Sequence, residues 1–357
     1  MQYIGAPYPG MAANASDAPM CIEHVSTRML AACKSRLPDG RLQDGRRLVL
    51  SPYTLSSGPL SGLCNQVFAL AGYVMMAKEL RAILLLPNLT SHAANGVPRS
   101  FDHYFEPAPF IRSLRLVGVT GWSELPKNET RLKIARTKTN LDGWHTFKHQ
   151  YNSTVHTGVL EAVLSGLQPA IPLRQRVKAI QSHRLGGGEP YGCLHARIER
   201  DMVKGWLMNR AGRPPDLAHT LASMAVTPAV RQTARRIFVA VGNEISSRDN
   251  ETLSAPTSWN ATLVRTPNKQ GLSMKSWGVQ APDYTEAAIV DLVLCREAEW
   301  LVGWPGSSFS RALAFYHLRS RGSWHASCHC GSTCHEPTSQ LVYLTSEPWK
   351  NACPVVV

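Results

Sequence analysis

Apolar residues along this chain fall into short continuous runs closed by small-residue turns, alternating with longer stretches whose apolar positions lie three and four apart. Arg47-Leu-Val-Leu-Ser-Pro-Tyr53 predicts a short buried strand, and Ser56-Ser-Gly-Pro-Leu-Ser-Gly62 a small-residue loop. Asn65 to Leu80 sets Phe68, Ala71 and Met75 at helical spacing, and Ala82 to Leu86 predicts a second apolar strand closed by Pro87. This order of strand, loop, helix and strand predicts a parallel pair. It puts the loop at the carboxyl end of the first strand, where open α/β sheets bind ligands.

The rhythm returns in the second half. Tyr191 to Ala196, Arg236 to Val241 and Trp300 to Val302 read as strands. Asp216 to Ser223, Pro228 to Arg235, Asp283 to Arg296 and Arg311 to Arg319 read as helices. Between the halves, residues 88 to 185 look less regular, with one helix from Val159 to Gly166, and suit an acceptor-binding wall. Three consecutive glycines in Leu185-Gly-Gly-Gly-Glu-Pro190 fit neither a helix nor a central strand and predict a linker. The expected organisation is therefore a loose leader over 1–45 with a short helix at Val25 to Ala32, an α/β domain over 46–187, and a second over 188–357.

Composition narrows the class. At 357 residues with 44% hydrophobic and 18% charged, the chain can bury two cores and is not a disordered one. Its formal charge of +13 calls for an acidic partner. Nucleic acid is disfavoured, because the basic residues are scattered and no basic run alternates with aromatics. Six Asn-X-Ser/Thr triplets, at Asn14, Asn88, Asn128, Asn152, Asn250 and Asn260, and nine cysteines compatible with several disulfides point to the secretory lumen, Golgi or ER. Met1 to Met20 shows no leader or anchor, so the expectation is a chain truncated upstream, with membrane association only through the missing anchor.

Three segments carry candidate chemistry. Ser61-Gly-Leu-Cys-Asn-Gln66 opens a helix, where free N–H groups and the helix dipole favour an anion and Gly62 lets it approach the backbone. It has neither the Lys-Ser/Thr ending of a P-loop nor the spacing of a dinucleotide fingerprint, and an ordinary strand-to-helix turn reads the same. In Cys193-Leu-His-Ala-Arg-Ile-Glu-Arg-Asp-Met202, strand alternation sets Cys193, His195, Arg197 and Glu199 on one face. Arg197 can bridge two phosphate oxygens, or else pair with Glu199 or Asp201. In the third, Asp291 lies inside an apolar helix and needs a partner, and Ser307 and Ser308 at the mouth of the next helix offer donors suited to phosphate.

Together with Arg235-Arg-Ile-Phe-Val-Ala-Val-Gly-Asn-Glu244, these segments resemble the GDP-fucose protein O-fucosyltransferase family, including its large plant branch, over about residues 47 to 322. The resemblance implies an α/β, GT-B-like fold of two Rossmann-like domains facing across a donor cleft. It implies an inverting transfer of fucose from GDP-fucose to a protein Ser/Thr or glycan hydroxyl, with no cofactor and no metal. Gly62 and Asn65 would approach the diphosphate, His195 the nucleoside and Asp291 the base, while Ser307, Ser308 and Phe309 close around the β-phosphate. Arg197 would be the catalytic residue, neutralising the departing GDP. No carboxylate lies between Ser56 and Gln66, where some relatives carry a candidate base, which leaves Glu199 and Asp201 as the nearest candidates.

Two alternatives stay open. The same fold serves other donors, UDP-rhamnose among them, and a non-catalytic nucleotide-sugar binder would keep the same cleft. Outside the resemblance, His325-Ala-Ser-Cys-His-Cys-Gly-Ser-Thr-Cys-His335 offers Cys328, Cys330 and Cys334 either to zinc or, with Cys353, to disulfides.

Overall fold

The computed structural model describes residues 46–52, 62–90, 98–126, 132–136, 154–196, 198, 217–225, 235–242, 245–266, 284–303, 307–321 and 355–356. In chain order these form β1 (Arg47–Ser51), α1 (Leu63–Glu79), β2 (Ile83–Leu85), β3 (Leu89–Thr90), β4 (Pro98–Arg99), α2 (Phe101–Tyr104), α3 (Pro107–Leu116), β5 (Gly121–Trp122), β6 (Leu132–Arg136), α4 (Thr154–Gly166) and α5 (Ile171–Arg184). The second half contributes β7 (Gly192–His195), α6 (Leu217–Ala225), β8 (Arg236–Ala240), α7 (Ser247–Ser254), β9 (Thr262–Val264), α8 (Tyr284–Glu297), β10 (Leu301–Gly303), α9 (Ser308–Arg321) and β11 (Val355–Val356).

Two parallel sheets organise the chain. The first runs β5-β2-β1-β6 with every pairing parallel. The second runs β9-β8-β7-β10, also parallel, with β11 antiparallel on the β10 edge. Numbered within its own sheet, each set of four lies in the order 3-2-1-4, the Rossmann arrangement, so each sheet has a switch point between its first and fourth strands. The switch points are β1/β6 and β7/β10. The α/β class expected from the pattern, and the two Rossmann-like units implied by the resemblance, are therefore observed.

The hydrophobic sequence explains this layering. Leu48, Val49 and Leu50 are all buried, as a central parallel strand requires. Most of α1 is buried too, because it lies against the sheet while α4 and α9 cover its outer sides. Its first turn has no acidic residue and its N-cap, Gly62, makes no side-chain cap. Residues 88 to 185 are more regular than expected: α3 and α5 join the helix at α4. Both helices begin with Pro in the first turn, where its missing N–H is no loss. Gly186, Gly187 and Gly188 all have φ between +63° and +121°, a linker conformation that costs glycine little. The helices expected at 25–32 and, but for Arg235, at 228–235 lie outside the described residues.

The two units are joined by packing as well as by the linker. Leu173 of α5 belongs to the first core, whereas Val177 and Ile180, one and two turns later, belong to the second. Ala312 and Phe315 of α9 pack into the first core, while Leu313 packs into the second. Glu286 of α8 is held by Arg176 of α5 and lies 3.1 Å from Nε2 of His103 in α2. A disulfide between Cys193 and Cys295 ties β7 to α8.

Candidate functional site

Parallel strands end on one edge, so the segments that follow them share that edge. In the second sheet β7 ends at His195, and β10, its neighbour across the switch point, ends at Gly303. The next helix, α9, starts at Ser308. The imidazole Nδ1 of His195 and the hydroxyl of Ser310 share a hydrogen bond of 2.6 Å, with both residues buried. The Phe309 ring lies over the imidazole at 4.7 Å between centroids. The Cys-Leu-His strand and the Ser-Ser-Phe-Ser turn, 115 residues apart, thus form one cluster at the switch point. Gly303 permits it: a Cβ there would come within 2.7 Å of the Ser310 oxygen.

Ser307 is buried and accepts the backbone N–H of Arg311, while Ser308 and Phe309 are half-buried. The first turn of α9 has no acidic residue to oppose an anion. Burial pushes the Arg311 guanidinium below its ordinary value. Across the sheet, Asp291 is buried in α8 and accepts the hydroxyl of Thr266, which stands just past the end of β9. The partner Asp291 needs includes a side chain from the carboxyl edge.

The first sheet presents its edge to the same region. Helix α8 leads into β10 through a short turn and so runs against the strands, which puts its first turn at the carboxyl edge of the second sheet. From that turn Thr285 donates its hydroxyl to the carbonyl of Thr90, at 3.2 Å. Thr90 follows β2 and stands at the carboxyl edge of the first sheet. Its backbone is gripped a second time: Nε2 of Gln66 donates to the Thr90 carbonyl at 3.0 Å and Oε1 accepts its N–H at 3.2 Å. Gln66 lies one turn after Gly62 and next to Asn65, so the start of α1 is held against the place where the two edges meet.

Of the expected site residues, Gly62 and Asn65 open α1, and His195, Asp291, Ser307, Ser308 and Phe309 lie at the carboxyl edge of the second sheet or on α8 beside it. Arg197, Glu199 and Asp201 lie outside the described residues, as do Cys328, Cys330, Cys334 and Cys353. Among the described residues no group of three or more His, Cys, Asp or Glu is placed to hold a metal ion. Ser310, Thr266, Gln66 and Thr285 were not singled out by sequence. Ser310 alone carries a sequence signal, being the third serine of the Ser-Ser-Phe-Ser turn; the rest act through contacts between residues 24 to 195 positions apart.

The class defined so far is a two-unit Rossmann-like α/β protein in which the carboxyl edge of the second sheet meets that of the first beside the opening of α1. No protein-family model and no curated protein matches the sequence. Among solved structures the chain is similar to POFUT1 in complex with GDP, at 14% identity over 76% of this chain and 95% of that one, with a TM-score of 0.49. It is also similar to the fucosyltransferase NodZ from Bradyrhizobium (13% identity, 75% of this chain and 92% of that one, TM-score 0.43). A mutant of Arabidopsis thaliana FUT1 in complex with GDP gives 13% identity, 81% of this chain, 72% of that one and a TM-score of 0.42.

Proposed function

We propose that the chain is an inverting, metal-independent glycosyltransferase that moves fucose from GDP-fucose to a protein Ser/Thr or glycan hydroxyl. The observation that carries this reading is the meeting of His195 with Phe309 and Ser310 at the β7/β10 switch point. Two sequence blocks suited to a nucleotide diphosphate converge where such folds take their ligands.

In this reading the donor lies along the joined carboxyl edges. The first turn of α9 and the opening of α1 supply N–H groups to the diphosphate, and Asp291, braced by Thr266, accepts hydrogen bonds from a guanine edge. Arg197, two residues beyond His195, neutralises the charge that builds on GDP as the C1–O bond breaks. The acceptor hydroxyl attacks C1 from the opposite face, loses its proton to a base or water, and leaves GDP as the product.

The compartment proposed is the secretory lumen. Asn88, Asn250 and Asn260 are exposed, as glycan acceptors must be, and the Cys193–Cys295 disulfide suits an oxidising environment. No helix of the described residues is long and apolar enough to cross a membrane. The test is GDP release from GDP-fucose, with and without a peptide and glycan acceptor array, in the presence of EDTA. Acceptor-stimulated release that Arg197→Ala abolishes is expected. Retained GDP binding without release from any acceptor would favour a non-catalytic binder.

A further inference from the structure

The His195 ring sits at the end of a strand, with Phe309 and Ser310 against it and Gly303 beside Ser310. Phe309 covers one face, Ser310 meets Nδ1 at 2.6 Å, and Gly303 leaves the space that the seryl hydroxyl needs. Both partners are buried, at 8% and 4% exposure, so this hydrogen bond competes weakly with water. A neutral imidazole carries its proton on one nitrogen, and the bond made by the other nitrogen decides which. A hydroxyl can rotate either to donate or to accept. An anionic ligand at this edge selects between these: Nε2–H is a donor towards phosphate or ribose oxygen, whereas a bare Nε2 repels the former.

We propose that Ser310 is a positioning residue for His195, donating its hydroxyl to Nδ1 and thereby fixing the ring orientation and the tautomer with the proton on Nε2. The proposal rests on the nucleotide reading in one respect, that the fixed ring serves the bound diphosphonucleoside. It assigns different work to neighbouring serines. Ser307 and Ser308 open the helix towards the ligand, whereas Ser310 faces inward and acts through the histidine. It also gives Gly303 a role, since any side chain there would push Ser310 off the ring.

The experiment uses the full chain labelled with 15N-histidine, with His195→Gln identifying the resonances among the 13 histidines. The parent protein is expected to show His195 as the Nε2–H tautomer with Nδ1 accepting a hydrogen bond. Ser310→Ala should give a mixed-tautomer signal and bind GDP roughly 2- to 10-fold more weakly, the range that one hydrogen bond covers. Gly303→Ala should lose the same signature although its Ser310 hydroxyl is intact. An unchanged His195 signature in Ser310→Ala would overturn the proposal. If the parent chain bound no GDP, the nucleotide reading would fall, and the ring signature would still decide whether Ser310 sets the tautomer.

Discussion

The hydroxyl of Thr285 reaches from the second Rossmann-like unit to the carbonyl of Thr90 in the first, so the carboxyl edges of the two sheets touch through a buried hydrogen bond. Gln66 holds the same peptide from the other side with both ends of its amide. One short segment after β2 therefore aligns the opening of α1 with the start of α8, and a ligand spanning the two edges would meet groups whose relative position is fixed.

Replacing Gln66 with Leu keeps the volume but removes both side-chain hydrogen bonds to the Thr90 peptide. The expected loss is about 2 kcal/mol of stability, roughly 1 kcal/mol for each of the two buried hydrogen bonds removed. Urea unfolding measures it, and a change within about 0.5 kcal/mol, as an ordinary surface substitution gives, would mean the grip on Thr90 contributes little.

The Cys193–Cys295 bond closes a loop of 102 residues between the strand that carries His195 and the helix that carries Asp291. Removing it with Cys193→Ala and Cys295→Ala together should lower stability by about 2–4 kcal/mol. Mass spectrometry of the non-reduced peptide pair checks the link itself. An unaltered melting temperature on reduction would show that packing alone holds β7 to α8.

Burial pushes the Cys64 thiol far above its ordinary value of 9.0. The folded state therefore disfavours the thiolate, and its stabilising share is fully present below pH 9.0 and declines as the unfolded chain ionises above it. The native protein should leave Cys64 unalkylated by iodoacetamide at pH 8, with rapid modification after unfolding. Fast labelling of the native protein would place this thiol at the surface.

Asp291→Asn tests the base contact. It keeps the shape and an acceptor for Thr266 but removes the charge, so GDP affinity should fall roughly 10- to 100-fold and the preference over UDP should narrow. Thr266→Val should show a smaller loss in the same direction. Equal losses for GDP and UDP would assign Asp291 to the structure of α8 instead.

How much of this was legible in the sequence differs by residue. The strand-turn-helix units at Arg47 and Leu301 were readable because parallel strands buried on both faces are continuous apolar runs. The three glycines at 186–188 announced a linker, and all three adopt positive φ. Alternation put Cys193 and His195 on one face, and both do turn inward to partners on helices, α8 and α9. Helix α5 is hard to read from sequence although Leu173, Val177 and Ile180 are spaced for it, because its Arg and Lys residues mask a narrow apolar stripe. The Asp291–Thr266 and Thr90–Thr285 contacts left no trace, since they exist only once the sheets are built and brought edge to edge.

Titration of the full chain with GDP and, separately, UDP in a calorimeter with EDTA present addresses the central claim directly. The account predicts saturable one-to-one binding of GDP, at least about tenfold tighter than UDP, a margin set by buried polar groups on the base. Binding should be weakened by Arg197→Ala and by Ser307→Pro, which removes a backbone donor at the mouth of α9. No heat with GDP, or equal affinity for the two nucleotides, would contradict it.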